Sequence, residues 1–337
     1  WGGMENTSAT TLYDRTMHDE RALLDSTPDW LIAHELGHQW WGDLVTCKDW
    51  SHLWLNEGFA TYSEVLWAEH QLGRDERDWH LLDDLRAART GTTQSLPVVD
   101  RRYRHPGSMF DSRVYPKGGW LLHMLRSRIG DEDFFRGLKR YGTVYSYQAA
   151  ETSDLRQIFE RLYGVSLERF FYDFAERPGH PELLVESDWL PKDKLLRVKV
   201  SQTQKAEPFH IPLKIEVVTD ESPGAAPTVI EKDMTERDFT LFIPVARHPQ
   251  QVRVDPDFTL LATIKETKSN NLWQSQLASA GSLYERVRAA EHFGEITTDA
   301  SRESLVKSLN SDGFYGVRVE AAKALGRVKG DIARDAL

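Results

Sequence analysis

The chain has 337 residues, more than one hydrophobic core usually organises, so we predict two or three domains. Its hydrophobic fraction of 40% and charged fraction of 28% are typical of a globular protein and argue against a disordered or fibrous chain. The net charge of −10, with basic residues scattered among acidic ones, disfavours nucleic acid as a partner.

Three further features of the sequence limit the class of protein. Cys47 is the only cysteine, which excludes an internal disulfide framework. No run approaches the ~20 apolar residues that cross a bilayer, so we predict no membrane span. The chain opens on WGGMENTSAT, without an initiator methionine or a leader, so we expect it to be a fragment of a larger protein. The sequence therefore does not indicate the cellular compartment.

The first half of the chain is predicted to be mainly helical, after an extended segment at residues 1–14. Hydroxyls at Ser26 and Thr27 suit an N-cap and Gly42 suits a stop, which predicts a helix within residues 26–43. Apolar residues that return every three to four positions predict further helices, at residues 51–71, 81–89, 117–129, 131–145 and 154–177.

The sequence pattern changes beyond residue 183. Short alternating runs separated by Pro, Gly and Asp predict a small antiparallel β-sandwich at residues 184–266. The helical period returns at residues 267–337, where VRAAEHFG at 287 is echoed by VEAAKALG at 319, an offset of 32. The echo indicates either a helical-repeat segment of the HEAT kind or two similar amphipathic helices. We therefore predict a multidomain α and β protein whose first, mainly helical domain comprises residues 1–183.

The segment HELGH at residues 34–38 carries two histidines at a spacing typical of a metal site. On a helix, His34 and His38 lie on one face, within reach of a single ion. Two histidines and one glutamate are a common ligand set of catalytic zinc, with a fourth position left for water. Glu57, nineteen residues after His38 on the next predicted helix, is the candidate third ligand. Glu35, beside the first histidine, is placed to take a proton from that water.

The alternative is a buried polar cluster of these four residues without metal. Two histidines and two acids on an apolar, tryptophan-rich segment would then be buried unpaired, which is unfavourable, whereas zinc offsets the desolvation. Glu64, seven residues after Glu57, is either a partner that orients one zinc-bound histidine or a solvated helix glutamate. The remaining histidines, including His70 and His80, show no ligand spacing and are predicted to be surface or core residues.

These motifs resemble those of the M1, or gluzincin, aminopeptidases, the family of aminopeptidase N. The family's HExxH, eighteen further residues and Glu are matched by His34, Glu35, His38 and Glu57. Its GxMEN substrate motif is matched at residues 2–6, and RVYPKGGWLLHML resembles the segment that carries its catalytic tyrosine. The resemblance covers residues 1–183 and implies a mainly helical, thermolysin-like catalytic domain. Beyond that range only the order of domains is similar.

The resemblance implies a chemical role for each matched side chain. One Zn²⁺ per chain would be held by His34, His38 and Glu57. Glu35 would act as general base, and Tyr115 would donate a hydrogen bond to the oxyanion of the transition state.

The GxMEN residues would bind a peptide substrate with a free amino terminus. Glu5 would bind the α-ammonium group, which makes the activity that of an aminopeptidase. Gly2 and Gly3 would let the substrate approach the backbone as an added strand, and Met4 would line the pocket for the first side chain.

The family also carries an amino-terminal β-domain that supplies part of the substrate cleft, and none of it is present in this sequence. We therefore expect these 337 residues to bind zinc and to hydrolyse peptides poorly on their own. Two other functions stay open. A non-catalytic interaction scaffold is disfavoured by the intact ligands, base and tyrosine. A lipid epoxide hydrolase, as in one branch of the family, is not singled out by any residue.

Overall fold

The computed structural model describes residues 2–219 and 226–337. The chain divides into two compact units, Trp1–His180 and Pro181–Leu337. The division into three domains, at residues 1–183, 184–266 and 267–337, stays a prediction. None of the helices in the described ranges combines the length and the hydropathy that crossing a bilayer requires.

The first unit is built mainly from helices, as predicted. Gly73, with φ of +95°, separates the second helix from the third. Gly164, with φ of +75°, interrupts the helical pattern predicted over residues 154–177, because residues other than glycine rarely adopt this conformation. The helices are α1 (Asp29–Gly37), α2 (Trp54–Leu72), α3 (Arg74–Ala88), α4 (Pro116–Ile129), α5 (Asp131–Val144), α6 (Thr152–Tyr163) and α7 (Glu168–Phe171), followed by a π-helical turn at Tyr172–Glu176.

Helix α1 ends before Gly42, so the prediction of Gly42 as its stop is wrong. The amide of His38 still donates to the carbonyl of His34 at 3.2 Å, so both histidines keep their helical spacing. Beyond this point the chain turns, and the Gly42 amide donates to the carbonyl of Val45 at 2.9 Å. Gly42 serves this turn, with φ of +142°, rather than the helix end.

Four short strands accompany these helices: β1 (Gly3–Met4), β2 (Thr11–Leu12), β3 (Val45–Cys47) and β4 (Gln148–Ala150). Strands β1 and β2 pair antiparallel, with Gly3 opposite Leu12. They lie within the segment predicted to be extended, residues 1–14. Strands β3 and β4 pair parallel, and α1 leads into β3. Strand β1 packs against α1, the helix that carries both histidines of HELGH.

Helices α2 and α4 approach each other closely because glycines meet where they cross. A Cβ on Gly58 of α2 would lie 2.8 Å from the backbone Cα and carbonyl carbon of Gly118 on α4. A Cβ on Gly118 would likewise lie 2.9 Å from the Cα of Gly58. Contacts this short cannot be relieved by a side-chain rotation, since both partners are backbone atoms. The crossing thus brings Glu57 and the start of α4 to the same side of the unit.

We expect Gly58→Ala to lower the free energy of unfolding of the first unit by about 1–3 kcal/mol, the usual effect of overpacking a core. The matched control is Gly142→Ala on α5, where the new Cβ would lie 3.6 Å from the ring of Trp41, an ordinary contact. Alanine favours helix over glycine, so the control should be neutral or stabilising. Urea unfolding followed by tryptophan fluorescence measures both variants. Equal stability of the two would contradict the close crossing.

The second unit opens with strands that form two sheets. The strands are β5 (Glu182–Leu190), β6 (Leu195–Gln202), β7 (Ile211–Val218), β8 (Thr228–Met234), β9 (Asp238–Pro244), β10 (Gln251–Val254) and β11 (Thr263–Thr267). One sheet has the order β10-β7-β8 and the other β11-β5-β6-β9. The prediction of a purely antiparallel arrangement is wrong for one pair, because β11 runs parallel to β5. A parallel pair needs a long connection, and strands β6 to β10 provide it. Face-to-face sandwich packing of the sheets stays a prediction.

Helices follow the sheets: α8 (Asn270–Ser279), α9 (Leu283–Phe293), α10 (Asp299–Ser311), α11 (Tyr315–Val328) and α12 (Asp331–Ala336). The two echoed segments lie on α9 and α11, and both helices contribute to one buried core with Trp273 and Leu305. Alanines at 289, 290, 321 and 324 in this core allow the helices to pack closely. The HEAT-like character of this segment stays a prediction.

Candidate metal centre and active site

Three side chains of the first unit bring their ligand atoms together where α1 meets α2. His34 and His38 lie at the carboxyl end of α1, and Glu57 lies in the first turn of α2. The Nε2 atoms of the two imidazoles are 3.1 Å apart. Glu57 Oε2 lies 3.4 Å from Nε2 of His34 and 3.2 Å from Nε2 of His38. We call these three atoms the metal triangle.

Each imidazole of the triangle is oriented through its Nδ1 atom. His34 Nδ1 lies 2.8 Å from Oε1 of Glu64, and His38 Nδ1 lies 3.0 Å from the backbone carbonyl oxygen of Trp41. Carboxylate and carbonyl oxygens only accept hydrogen bonds, so each Nδ1 carries a hydrogen and donates. The Nε2 atom of each ring is therefore the one that faces the triangle, as in histidines that bind metals.

Three electron-rich atoms at these distances repel one another unless a proton or a cation lies between them. A proton on the His34 ring can lie between these atoms. Burial lowers the pKa of His34, but the carboxylates of Glu57 and Glu64 outweigh burial and raise it to about 10. Burial alone would raise the pKa of Glu57, but hydrogen bonds from the two imidazoles lower it to about 2. A tetrahedral zinc ion fits the same space, since bonds of about 2.0–2.1 Å place its ligand atoms about 3.3 Å apart.

Glu35 packs against β1, beside the metal triangle. The residue is 4% exposed, and its Oε2 is buried with no hydrogen-bond partner among the described residues. A Cβ on Gly3 would lie 2.5 Å from Cδ of Glu35, so a larger residue at this position would displace the carboxylate from where it lies. Burial raises the pKa of Glu35 above its usual range, although the imidazoles of His34 and His38 oppose the change. The site thus holds a buried carboxylate with one oxygen available for a proton.

Tyr115 immediately precedes α4 and lies over the first histidine of the triangle. Its ring stacks on the imidazole of His34, with ring centroids 6.0 Å apart and planes inclined by 21°. Burial, reinforced by the negative charge of Glu57, raises the pKa of Tyr115 above its usual range. The phenol therefore stays protonated at neutral pH and remains a hydrogen-bond donor.

A cavity of about 450 Å³ joins the triangle to the GxMEN residues and is lined also by Gly3, Met4, Glu5, Glu35 and Tyr115. Glu5 Oε1 lies 4.0 Å from His38 Nδ1. Gly2 does not line the cavity, and its carbonyl accepts a hydrogen bond from the amide of Tyr13 at 2.9 Å. Gly3 lies against the side chain of Glu35, and the role predicted for Gly2 and Gly3 in letting the substrate approach stays a prediction.

Further groups lie at or behind the site, and the sequence analysis considered a role at the metal for only one of them, Glu64. Trp50 and Phe110 line the same cavity, with ring centroids 5.9 Å apart. Glu64 contacts His34 and its side chain is 16% exposed, so it is not a solvated helix glutamate. His80, predicted as a surface or core residue, places Nε2 3.2 Å from Oε2 of Glu64. No spacing in the sequence links His80 to Glu64, because they lie on different helices.

Comparisons with known proteins agree with the motifs. The sequence model of the Peptidase family M1 domain matches residues 1–174. Leucyl aminopeptidase of Saccharolobus solfataricus is 34% identical over 200 residues, which cover 55% of this chain and 25% of the relative. Aminopeptidase N of Lactococcus lactis subsp. lactis is 35% identical over 167 residues, 46% of this chain and 19% of the relative. The chain thus spans about a quarter, or less, of the length of the known relatives it matches.

A solved structure shows the same fold. The crystal structure of Legionella pneumophila aminopeptidase A in complex with aspartic acid is similar over 100% of this chain and 41% of that chain, with a TM-score of 0.77 and 19% identity. The family match spans more than half of the chain and contains the metal triangle, Glu35 and Tyr115. The chain therefore belongs to peptidase family M1.

Proposed function

We propose that this protein is a zinc-dependent aminopeptidase, which hydrolyses the first peptide bond of peptides with a free amino terminus. The observation that carries the proposal is the metal triangle, with edges of 3.1–3.4 Å, beside a buried oxygen of Glu35 that has no hydrogen-bond partner in the part of the chain that the structure describes. Membership of the M1 family, and relatives named aminopeptidase, support it.

His34, His38 and Glu57 would hold one Zn²⁺ ion. Two nitrogens and one oxygen are a ligand set of catalytic zinc, and they leave a fourth position open. When bound, zinc supplies Lewis acidity, which lowers the pKa of water towards ~7 and polarises a carbonyl group. Glu64 and the carbonyl of Trp41 would keep the two imidazoles in the tautomer that binds metal.

Glu35 is the proton carrier of the proposed reaction. Its Oε2 accepts a proton from the attacking water as the water oxygen bonds to the carbonyl carbon of the peptide. The carboxyl then gives this proton to the leaving nitrogen as the C–N bond breaks, so the amine departs uncharged. The phenol of Tyr115 donates a hydrogen bond to the oxyanion, whose charge develops only in the transition state.

Strand β1 and Glu5 position the substrate in this proposal. The carboxylate of Glu5 binds the α-ammonium group and fixes the chain end one residue from the scissile bond. One edge of β1 pairs with β2, and within residues 2–219 and 226–337 its other edge pairs with no strand. An extended peptide can therefore add at that edge. Met4, which is 45% exposed, lines the pocket for the first side chain.

Aminoacyl-anilides and their N-acetyl forms test the proposal. We expect hydrolysis of the free-amine substrates, loss of hydrolysis with a zinc chelator and recovery when zinc is added back. The acetylated substrates should be resistant, because Glu5 then has no ammonium group to bind. Equal hydrolysis of both forms would contradict the role of Glu5. In a longer protein that includes the amino-terminal β-domain, zinc binding without hydrolysis would favour a scaffold, and hydrolysis of lipid epoxides alone would favour the other branch of the family.

We expect Tyr115→Phe to lower kcat by about 10²–10³-fold, the usual effect of removing one donor to an oxyanion. KM should change little, because the hydrogen bond forms in the transition state and not in the ground state. Steady-state kinetics on an aminoacyl-anilide measure both quantities. Tyr147→Phe, at a tyrosine that is 88% exposed, is the matched control. A rise in KM with unchanged kcat would assign Tyr115 to ground-state binding instead.

A further inference from the structure

A line of polar side chains leads from the metal triangle to α3. His34 donates from Nδ1 to Oε1 of Glu64 at 2.8 Å, and the other oxygen of Glu64, Oε2, lies 3.2 Å from Nε2 of His80. The two oxygens of this carboxylate thus have different imidazole partners. Three helices contribute one residue each: α1 carries His34, α2 carries Glu64 and α3 carries His80.

The ring of His80 is held in place by contacts besides Glu64. It stacks on the indole of Trp30 with ring centroids 5.4 Å apart and planes inclined by 22°. Trp30 in turn meets the edge of Trp67 at 6.2 Å. The side chains of His80 and Glu64 are only 20% and 16% exposed, so water competes weakly for their hydrogen bond.

A carboxylate with a single hydrogen bond can still rotate about its side-chain torsions. A second hydrogen bond, on the opposite oxygen, fixes both its position and the direction of the first. An N–H of His80 that donates to Oε2 therefore determines where Oε1 lies, and Oε1 determines the orientation and tautomer of the His34 ring. Loss of the outer hydrogen bond would loosen a metal ligand that His80 itself does not touch.

We infer that His80 is a positioning residue of the zinc site, which acts through Glu64 to hold His34 with Nε2 directed at the metal. This inference rests on the proposed zinc site. It assigns His80 no contact with the substrate and no part in proton transfer. Its effect should therefore appear in the affinity for zinc, even without turnover.

Two substitutions at His80 separate hydrogen bonding from packing. His80→Phe keeps an aromatic ring against Trp30 and removes the donor to Glu64. His80→Gln keeps an N–H donor at a similar position and removes the ring. Zinc affinity is measured by competition with a chromophoric chelator. Because removal of outer partners of metal ligands usually weakens binding 10–100-fold, we expect about 10-fold weaker binding in His80→Phe and a smaller loss in His80→Gln. The reverse order would show that packing against Trp30 matters instead, and would overturn the inference.

A double-substitution cycle tests whether His80 acts through Glu64. Glu64→Ala should weaken zinc binding, and adding His80→Phe to it should weaken binding no further, because the intermediary is already lost. Losses that simply add would contradict the inference. Should His80→Phe fail to fold, His80→Ala measured with and without Glu64→Ala gives the same comparison. His70→Phe, at an exposed histidine near the end of α2, is the control and should bind zinc as the unsubstituted protein does.

The outcomes also separate the inference from the proposed function. Failure of the unsubstituted protein to bind zinc would overturn the proposed function. Tight zinc binding that is unchanged in His80→Phe would overturn the role of His80 alone. Circular dichroism of each variant shows whether the helices are retained, so that a loss of zinc affinity can be told from unfolding.

Discussion

Replacement of Glu35 by glutamine should lower kcat for aminoacyl-anilide hydrolysis by about 10²–10⁴-fold, the range that a positioned general base contributes. Glutamine has nearly the same shape but cannot accept the proton of the attacking water. Zinc content should be unchanged, since Glu35 is not part of the metal triangle. Elemental analysis of dialysed protein, together with steady-state kinetics, measures both effects.

The buried position of Glu35 makes this variant informative. Its Oε2 has no hydrogen-bond partner among the described residues, so glutamine breaks no hydrogen bond at that atom. Glu132→Gln, at a side chain on α5 that is 92% exposed, is the matched control and should keep full activity. Glu35→Gln with near-normal kcat would show that another group carries the proton.

Replacement of Glu57 by alanine should weaken zinc binding by more than about 100-fold, because outer partners of metal ligands alone contribute 10–100-fold. The substitution leaves two imidazoles and removes the only anionic atom of the metal triangle. Glu64→Ala provides a graded comparison, since Glu64 touches His34 but contributes no atom to the triangle. Chelator competition should rank the affinities as unsubstituted protein, then Glu64→Ala, then Glu57→Ala.

The opposite ranking would place the metal elsewhere. A second group of potential ligand atoms, from Glu5, Glu35 and His38, lies in the same cavity. If that group held the zinc, Glu57→Ala would change the zinc affinity little, whereas Glu35→Gln would lose most of its zinc. The two substitutions together therefore distinguish the metal triangle from its neighbour.

The metal triangle illustrates what can be predicted from sequence. A helix fixes the relation between His34 and His38 locally, so their spacing alone predicts that both face one point. Glu57 could be assigned only from the pattern of the next helix and the resemblance to a family. The structure brings all three atoms within 3.4 Å, whereas their role as zinc ligands stays a prediction.

Features that depend on distant parts of the chain were not predictable in the same way. Strand β11 has the sequence TIKET, whose single apolar residue does not indicate a strand direction, and its parallel pairing with β5 depends on a connection through β6 to β10. Gly42 has the sequence signal of a helix stop, but a turn to Val45 uses it instead. His80 meets Glu64 only because α2 and α3 pack side by side, and no local periodicity records that contact.

Anomalous diffraction from crystals of the protein with zinc, collected on both sides of the zinc absorption edge, tests the central claim most directly. We expect one anomalous peak about 2.0–2.2 Å from Nε2 of His34, Nε2 of His38 and a carboxylate oxygen of Glu57. A zinc peak outside this triangle, or no peak in a protein that retains its fold, would contradict the account.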